Sequence, residues 1–242
     1  MIEKYIEASK NMNAIGGGSN KKCYVFDEVV LLKEPVYNNL KEPFDEKKLI
    51  QEAKERLDFL KKSGVNVCNT LESTIIGNEK YELQEKARGK ELFHQKYNLT
   101  QMEQQSFLET LDSLSNKDLS FYEKFLDDWD KILQVGFCVD PSKSSNFFYD
   151  GEKISFIDLN FNNDYETRKA FMLREAAVVL RGGGLLWQCK DVFEKANERV
   201  RIIYQKLGVA GLNLGENIEE FISYIDPYGE YNLEEYFTSY KR

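Results

Sequence analysis

The pattern of hydrophobic and polar positions changes about one third of the way along the chain. Up to residue 86 the apolar residues fall in short runs rich in β-branched and aromatic side chains, which is typical of β-strands. One helix is predicted over 45–62, where apolar residues recur at helical spacing before a Ser-Gly stop. The predicted strands cover residues 11–15, 22–26, 29–33, 74–76 and 80–84, with turns at 27–28 and 77–78. Residues 1–86 are therefore predicted to form a five-stranded antiparallel sheet with one helix.

From residue 87 to 242 helical spacing dominates. Thr100 and Glu103 have the spacing of a capping box, and further helices are predicted from 115–118 onward, over 165–181 and over 191–207. The second of these four helices carries an apolar stripe that we interpret as core: Tyr122, Phe125, Leu126, Trp129, Ile132 and Leu133. A single hairpin interrupts the helices at 146–158, around an Asp-Gly turn at 150–151. The fold class is therefore α+β, with a β-rich part over 1–86 and a mostly helical part over 87–242.

Composition excludes several classes of protein. The 242-residue chain has a formal net charge of −8, which argues against a nucleic-acid partner. The cysteines form no Cys-x-x-Cys pair, and the single histidine, His94, excludes His-based zinc sites. No segment approaches the roughly 18 apolar residues of a membrane span. We expect a cytoplasmic protein, or one delivered from a bacterial cytoplasm, with no zinc site, disulfide framework or membrane span.

The hairpin at 146–158 carries oxygen ligands at one end. A two-residue turn would place Asn146 opposite Ser155, so that Asp158 emerges near Asn146, with Asp140 shortly upstream. Amide and carboxylate oxygens in such a group can hold a hard cation such as Mg²⁺. The alternative is an ordinary strand-ending aspartate with a turn asparagine.

A lysine and a glycine run in the β-rich part are candidates for binding phosphate. Lys33 ends an apolar strand, where its ammonium needs an anionic partner, and the following helix offers Glu52 and Glu55. The run Gly16, Gly17, Gly18 and Ser19 lets backbone N–H groups approach phosphate oxygens. The alternative for Lys33 is an exposed strand end, and the glycine run lacks the Gly-Lys-Ser/Thr ending of a P-loop.

These residues, in this order over roughly residues 12–160, resemble the protein-kinase superfamily, including the aminoglycoside-phosphotransferase-like small-molecule kinases. The resemblance implies a bilobal fold that binds ATP and Mg²⁺. It places Lys33 as the phosphate-binding lysine and Glu52 as its partner, with Glu55 as the second choice. Residues 81–92 look like the hinge, in which Gln84 would be the gatekeeper and the Glu85 carbonyl and Ala87 N–H would meet adenine.

The same resemblance assigns roles in the helical part. Asp140 and Lys143 are similar to the catalytic loop, and Asn146 and Asp158 to the metal ligands of the family. The sequence departs from the family pattern in three ways: Cys138 and Val139 replace the usual histidine and arginine, the Asp140–Asn146 interval is one residue longer than in the family, and no Ala-Pro-Glu follows Asp158. The chain looks like an atypical, compact, microbial member.

The expected activity is transfer of the ATP γ-phosphate to a hydroxyl group. A protein Ser/Thr acceptor is slightly favoured, because only about 50 residues separate the hinge from Asp140 and leave little room for a substrate-binding insert. The alternatives are a small-molecule kinase and a nucleotide-binding pseudokinase that acts as a scaffold.

Overall fold

The structure is a computed structural model that describes residues 1–15, 21–35, 46–68, 70–93, 100–182 and 190–225. The chain divides into two compact units, Met1–Arg88 (unit 1) and Gly89–Arg242 (unit 2). Helices and antiparallel sheets both occur among the described residues, so the protein is of mixed α/β class.

Unit 1 is built on a four-stranded antiparallel sheet in the order β1-β2-β4-β3. Its elements are α1 (Ile2–Ser9), β1 (Lys22–Val25), β2 (Val29–Pro35), α2 (Glu46–Lys62), β3 (Thr70–Ile76) and β4 (Glu79–Glu85). β2 and β3 are both antiparallel to β4 and hence parallel to each other. Two parallel strands need a crossover, and α2 provides it.

The described part of unit 1 differs from the sequence prediction at its beginning. Residues 11–15 form no strand, because the N–H groups of Asn11 and Met12 donate back to Ala8 and Ser9 and are used to end α1. Only the Ile15 N–H bonds towards the sheet, at 2.8 Å from the Cys23 carbonyl oxygen. The sheet therefore has four strands among the described residues, and α1 is a helix that the sequence pattern did not predict.

The core of unit 1 lies between α1 and one face of the sheet. Strand residues alternate between the two faces, and one set faces the apolar side of α1. The cluster consists of Ile2 and Ile6 of α1 with Tyr24, Val29, Leu31, Tyr81 and Leu83 of the sheet. Ile2, Leu31 and Leu83 are fully buried, so this face of the sheet is filled by the chain itself.

Unit 2 is mostly helical. Its helices are α3 (Gln101–Ser115), α4 (Leu119–Gln134), α5 (Tyr165–Leu180), α6 (Lys190–Asn213) and α7 (Ile218–Ile225). Its short strands are β5 (Lys90–Glu91), β6 (Phe137–Cys138), β7 (Phe147–Tyr149), β8 (Ile154–Phe156) and β9 (Asn160–Phe161). The predicted capping box is confirmed, since Thr100 and Glu103 exchange both hydrogen bonds at the start of α3. No helix in the described part of the chain is long and apolar enough to cross a membrane.

The hairpin of β7 and β8 has a longer turn than predicted. Tyr149 pairs with Ile154 and Phe147 with Phe156, which leaves four residues, 150–153, in the turn. The Asp150 side chain accepts hydrogen bonds from the Glu152 and Lys153 N–H groups and stabilises this wider turn. As a result Asn146 is opposite residue 157 rather than Ser155, two positions closer to Asp158.

An aromatic cluster fixes this hairpin on α4. Phe156 stacks on Phe125 with ring centroids 5.5 Å apart, and Trp129 contacts Phe147 and Phe156 edge-on or tilted. All four side chains are buried, as the predicted apolar stripe of α4 requires. Aromatic pairs of this kind contribute about 0.5–1.5 kcal/mol beyond area burial, so they stabilise the packing of this hairpin on α4.

Candidate active site

Three of the predicted site residues meet in unit 2, and backbone pairing brings them there. The β7–β8 ladder continues one step beyond the strands, where the Ile157 N–H donates to the Asn146 carbonyl oxygen at 2.9 Å. A second ladder pairs Cys138 with Asn160. The segments that carry Asp140, Asn146 and Asp158 are therefore joined on both sides by strand pairing.

Asn146 connects these segments through its side chain as well. It is 4% exposed, and its Nδ2 donates to the Asp140 carbonyl oxygen at 3.3 Å. Because the amide nitrogen is engaged in this way, the amide oxygen is the atom left to contact a cation. The side chain of Asn146 therefore contacts the Asp140 backbone, and a metal site shared by these residues stays a prediction.

Asp158 has the most unusual backbone of the described chain. Its φ of 54° makes it the one residue other than glycine with positive φ among the described residues. An L-residue in the left-handed region costs roughly 1–2 kcal/mol. Strained residues of this kind cluster at functional sites, where the surrounding structure holds them in place. Here the Ile157–Asn146 bond on one side and β9 on the other supply that restraint.

The Asp140 carboxylate is ionised and oriented by its own loop. Its Oδ1 accepts hydrogen bonds from the Ser142 N–H at 3.0 Å and from Ser142 Oγ at 2.6 Å. Lys143 Nζ lies 3.5 Å from Oδ2. Partial burial opposes ionisation, but the Ser142 hydrogen bonds and the Lys143 charge hold the pKa of Asp140 below its usual value.

Sequence reasoning missed a second carboxylate in the electrostatic neighbourhood of Asp140. Glu175 of α5 is 18% exposed and lies 3.3 Å from Arg168 Nη1. Burial raises the pKa of Glu175, Arg168 opposes this rise, and the negative charge of Asp140 adds to it. Glu175 follows Asp140 by 35 residues on a helix of low amphipathicity, so no local pattern points to it.

The donors of unit 2 suit Mg²⁺. Asn146 and Asp158 supply oxygen atoms only, which hard divalent cations prefer, and Mg²⁺ usually keeps one or two protein ligands beside water and phosphate oxygens. No group of three or more His, Cys, Asp or Glu side chains is placed to hold a metal ion within the described ranges. A cation at this site would therefore depend on oxygens from a substrate.

In unit 1 the structure gives Lys33 a different partner from the predicted one. Lys33 Nζ lies 2.6 Å from Glu79 Oε2, while Glu52 is 4.0 Å from Lys48 and Glu55 accepts from Gln51 at 2.7 Å. The reason is strand register: Lys33 pairs with Tyr81, so Glu79 is its diagonal neighbour on the same face. The Glu79 hydrogen bond is the main cause of a raised pKa at Lys33.

The register also separates Lys33 from Gln84. Lys33 pairs with Tyr81, whereas Gln84 pairs with Val30, and neighbouring positions of a strand point to opposite faces. Lys33 therefore lies on the face that α1 covers, and Gln84 lies on the other face. The two residues cannot contact one ligand on one face of this sheet.

The remaining predicted nucleotide contacts are only partly within the described structure. Gly16, Gly17, Gly18 and Ser19 lie outside the described residues. Glu85 forms an ion pair with Lys61 at 2.6 Å, and Ala87 lies in the segment between β4 and β5. The Lys86 N–H beside it donates to the Glu28 carbonyl oxygen at 3.1 Å, which fixes the path of this segment.

Among known proteins, the chain is similar only to solved structures. No protein-family model and no curated protein matches the chain. A structure of WbdD with the kinase inhibitor LY294002 matches with a TM-score of 0.41 and 11% identity over 87% of this chain and 49% of that one. A WbdD structure at 2.2 Å matches with a TM-score of 0.42 and 12% identity, over 83% of this chain and 46% of that one.

A third structure, described as the bifunctional kinase-methyltransferase WbdD, matches with a TM-score of 0.40 and 11% identity over 80% of this chain and 43% of that one. The chain thus spans less than half the length of each of these structures. Likenesses of this degree do not indicate what the chain binds or catalyses.

Proposed function

We propose that this protein is an ATP- and Mg²⁺-dependent phosphotransferase that transfers the γ-phosphate to a hydroxyl group. The observation that carries the proposal is the junction in unit 2, where Asn146 bonds to Asp140 through its side chain and to Ile157 through its backbone, beside the strained Asp158. Two strand ladders bring together three residues with oxygen-bearing side chains, and one of these residues has a strained backbone. A phosphoryl-transfer site needs such a group of fixed oxygen ligands.

Each residue has a role that follows from its atoms. Asn146 and Asp158 would hold Mg²⁺, which would neutralise charge on the phosphates. The ionised Asp140 orients the acceptor hydroxyl and takes its proton as the new oxygen–phosphorus bond forms and ADP leaves. Lys143, 3.5 Å from Asp140, offers its ammonium to the phosphoryl oxygens. Catalysis is then mostly positioning and charge stabilisation.

The proposed acceptor is a serine or threonine hydroxyl of a protein, since the described residues between β5 and β6 consist mainly of α3 and α4 and leave little room for a substrate-binding insert. A small-molecule hydroxyl is the alternative acceptor. Binding of nucleotide without transfer is a second candidate function, and the observation that favours it is the engagement of Lys33 with Glu79 on the face covered by α1.

A thermal-shift titration with ATP and Mg²⁺ tests binding first. Ligand at about 100 times its dissociation constant adds roughly 2.7 kcal/mol of stability. We expect wild type to be stabilised and Asp158→Asn to lose the dependence on Mg²⁺. Asp127→Asn, which alters a partly exposed carboxylate of α4 that pairs with Lys131, should respond to ATP and Mg²⁺ as wild type does. The absence of any shift in wild type would remove the proposed function altogether.

Labelled ATP with a mixture of protein acceptors, and separately with small hydroxyl compounds, tests transfer. We expect wild type to label protein and Asp140→Asn to bind ATP as well as wild type while transfer falls about 10²–10⁴-fold. Binding without transfer to any acceptor would establish the scaffold alternative. Undiminished transfer by Asp140→Asn would take the proton-accepting role from Asp140.

A further inference from the structure

The charges around the Asp140 loop are mostly positive in a protein that is acidic as a whole. The chain has a formal net charge of −8. Lys143 nevertheless lies 3.5 Å from Asp140, and Arg168 and Arg174 both act on the neighbouring carboxylate Glu175. These five residues carry three positive and two negative charges. The loop that holds the proposed base therefore has more cations than anions beside it.

Backbone pairing places the start of α5 beside the Asp140 loop. β6 ends two residues before Asp140, and its partner β9 ends four residues before α5 begins. The pairing extends beyond these strands, since the Asn162 N–H donates to the Gly136 carbonyl oxygen at 2.9 Å. Tyr165, the first residue of α5, donates its hydroxyl to Asp130 Oδ1 of α4 at 3.0 Å. The first turn of α5 is thus fixed against α4 and β6, the elements that lead into the Asp140 loop.

One side of α5 carries two arginines, a phenylalanine and a glutamate. Arg168, Phe171 and Glu175 lie on the same side, because positions three or four residues apart are neighbours on a helix surface. Arg174 is next to them around the helix, and its guanidinium carbon lies 5.8 Å from the centre of the Phe171 ring. Glu166 is about 160° around the helix from Arg168, at 3.6 residues per turn. We name Arg168, Phe171, Arg174 and Glu175 the α5 flank.

Arg168 is a cation that is fixed in place and still accessible. Its Nη1 donates to Glu175 Oε1 at 3.3 Å, and Glu175 is its ion-pair partner among the described residues. A guanidinium has five N–H donors in a rigid fork, so one bond to Glu175 orients the group and leaves donors for a second carboxylate. The Arg168 side chain is 37% exposed, which allows a carboxylate to reach it from outside.

Glu175 connects the α5 flank to Asp140. Burial is the main cause of the raised pKa of Glu175, and the negative charge of Asp140 adds to it. Because partly exposed charges are largely screened beyond roughly 10 Å, the two carboxylates lie within about that distance of each other. Protonation of Glu175 would remove a negative charge from the α5 flank. The flank is therefore positively charged in either protonation state of Glu175.

We propose that the α5 flank selects acidic acceptors, in which aspartate or glutamate residues flank the serine or threonine that receives the phosphate. A carboxylate of the acceptor binds the open side of the Arg168 guanidinium, and Arg174 attracts it at longer range. Every residue that this requires belongs to unit 2. The inference rests on the proposed function, because it names the class of protein segment that accepts the phosphate.

Binding of non-reacting peptides tests the inference without any transfer. Three peptides are compared in which alanine replaces the acceptor serine and the flanking residues are Asp/Glu, Asn/Gln or Lys/Arg. In fluorescence polarisation we expect the acidic peptide to bind about tenfold or more tightly than the basic one, with the neutral peptide between them. Higher salt should reduce the difference, because the charges are partly exposed. Equal affinities, or a preference for the basic peptide, would overturn the inference.

The matching serine peptides measure recognition during transfer. Arg168→Gln should raise KM for the acidic peptide about three- to tenfold, between the effect of an exposed ion pair and that of a charge-assisted hydrogen bond, with kcat and KM for ATP unchanged. Arg168→Lys keeps the charge but not the fork and should recover part of the loss. Arg201→Gln, which removes an exposed arginine of α6, is the matched control and should keep the wild-type preference. A folding defect would lower kcat for all three peptides alike.

The outcomes separate this inference from the proposed function. Transfer to all three peptides with equal kcat/KM would remove the acidic preference and leave the phosphotransferase. An acidic preference that persists undiminished in Arg168→Gln would show that Arg168 does not recognise the acceptor, and would overturn the inference in the same way. Wild type that neither binds ATP nor transfers phosphate would remove the proposed function and the inference together.

Discussion

Replacement of Asp158 by glycine should be less damaging to folding than replacement by alanine. At ordinary positions the order is reversed, because glycine costs about 0.5–1 kcal/mol relative to alanine in conformational entropy. At φ 54° an alanine carries the left-handed penalty of about 1–2 kcal/mol, which glycine avoids. The difference predicts that Asp158→Gly is more stable than Asp158→Ala by about 0.5–1 kcal/mol.

The comparison is clean because both substitutions remove the carboxylate. Urea denaturation without nucleotide, followed by tryptophan fluorescence, reports on unit 2, since both tryptophans of the chain lie between residues 89 and 242. Neither variant should bind ATP with Mg²⁺ as wild type does. Equal stability, or an alanine variant more stable than the glycine variant, would show that the Asp158 backbone is not held in the left-handed region.

Three further predictions concern packing and charge. Gly89→Ala should lower the free energy of unfolding by about 2–4 kcal/mol in urea denaturation, because Gly89 has φ 84° and an added Cβ would collide with the backbone of β7. Gly215→Ala is the control: Gly215 has φ 77° but open space around it, so the loss should be about 1–2 kcal/mol. Lys169→Met should lower the free energy of unfolding by about 3–5 kcal/mol, because it removes the ion-pair partner, at 2.8 Å, of the Glu216 side chain, which is only 4% exposed. The double variant Lys169→Met/Glu216→Leu should recover most of this stability. Burial opposes ionisation of Glu82, but Lys80, Thr70 and Gln84 together hold its pKa below the usual value. The lowered pKa of Glu82 contributes stability that is complete above about pH 4.3, the unfolded value, and is lost as pH falls through the folded value. The stability difference between wild type and Glu82→Gln should therefore shrink on acidification below about pH 4, and a constant difference would contradict the lowered pKa.

The candidate site of unit 2 could be predicted from sequence because its members are joined by short-range backbone pairing. Asn146 and Asp158 belong to one hairpin, so alternation and a turn signal suffice to place them at the same end. The turn was predicted two residues too short, because the Asp-Gly pair suggested a tight turn while the Asp150 side chain supports a wider one. The wider turn brings the position opposite Asn146 two residues closer to Asp158 and keeps Asn146 and Asp158 at the same end of the hairpin.

Other features of the fold depended on contacts distant in sequence. α1 is eight residues long, too short to be stable alone, and exists through the burial of Ile2 and Ile6 against the sheet. The packing of α5 places Glu175 in the electrostatic neighbourhood of Asp140, and no spacing in the sequence predicts this proximity. Isolated sequence patterns carry no information about which distant surface will bury a short helix.

The sequence by itself determined the four strands of the unit 1 sheet, helices α2 to α6 and the β7–β8 hairpin that places Asn146 beside Asp158. Only the tertiary structure decided that α1 covers the sheet face of Lys33 and leaves Gln84 on the opposite face. Alternation says that Lys33 and Gln84 point to opposite faces of the sheet once the register is known, but it does not say which face α1 covers. The physical reason is that the side-chain period of a strand is two, so one step of register exchanges a buried face for an open one.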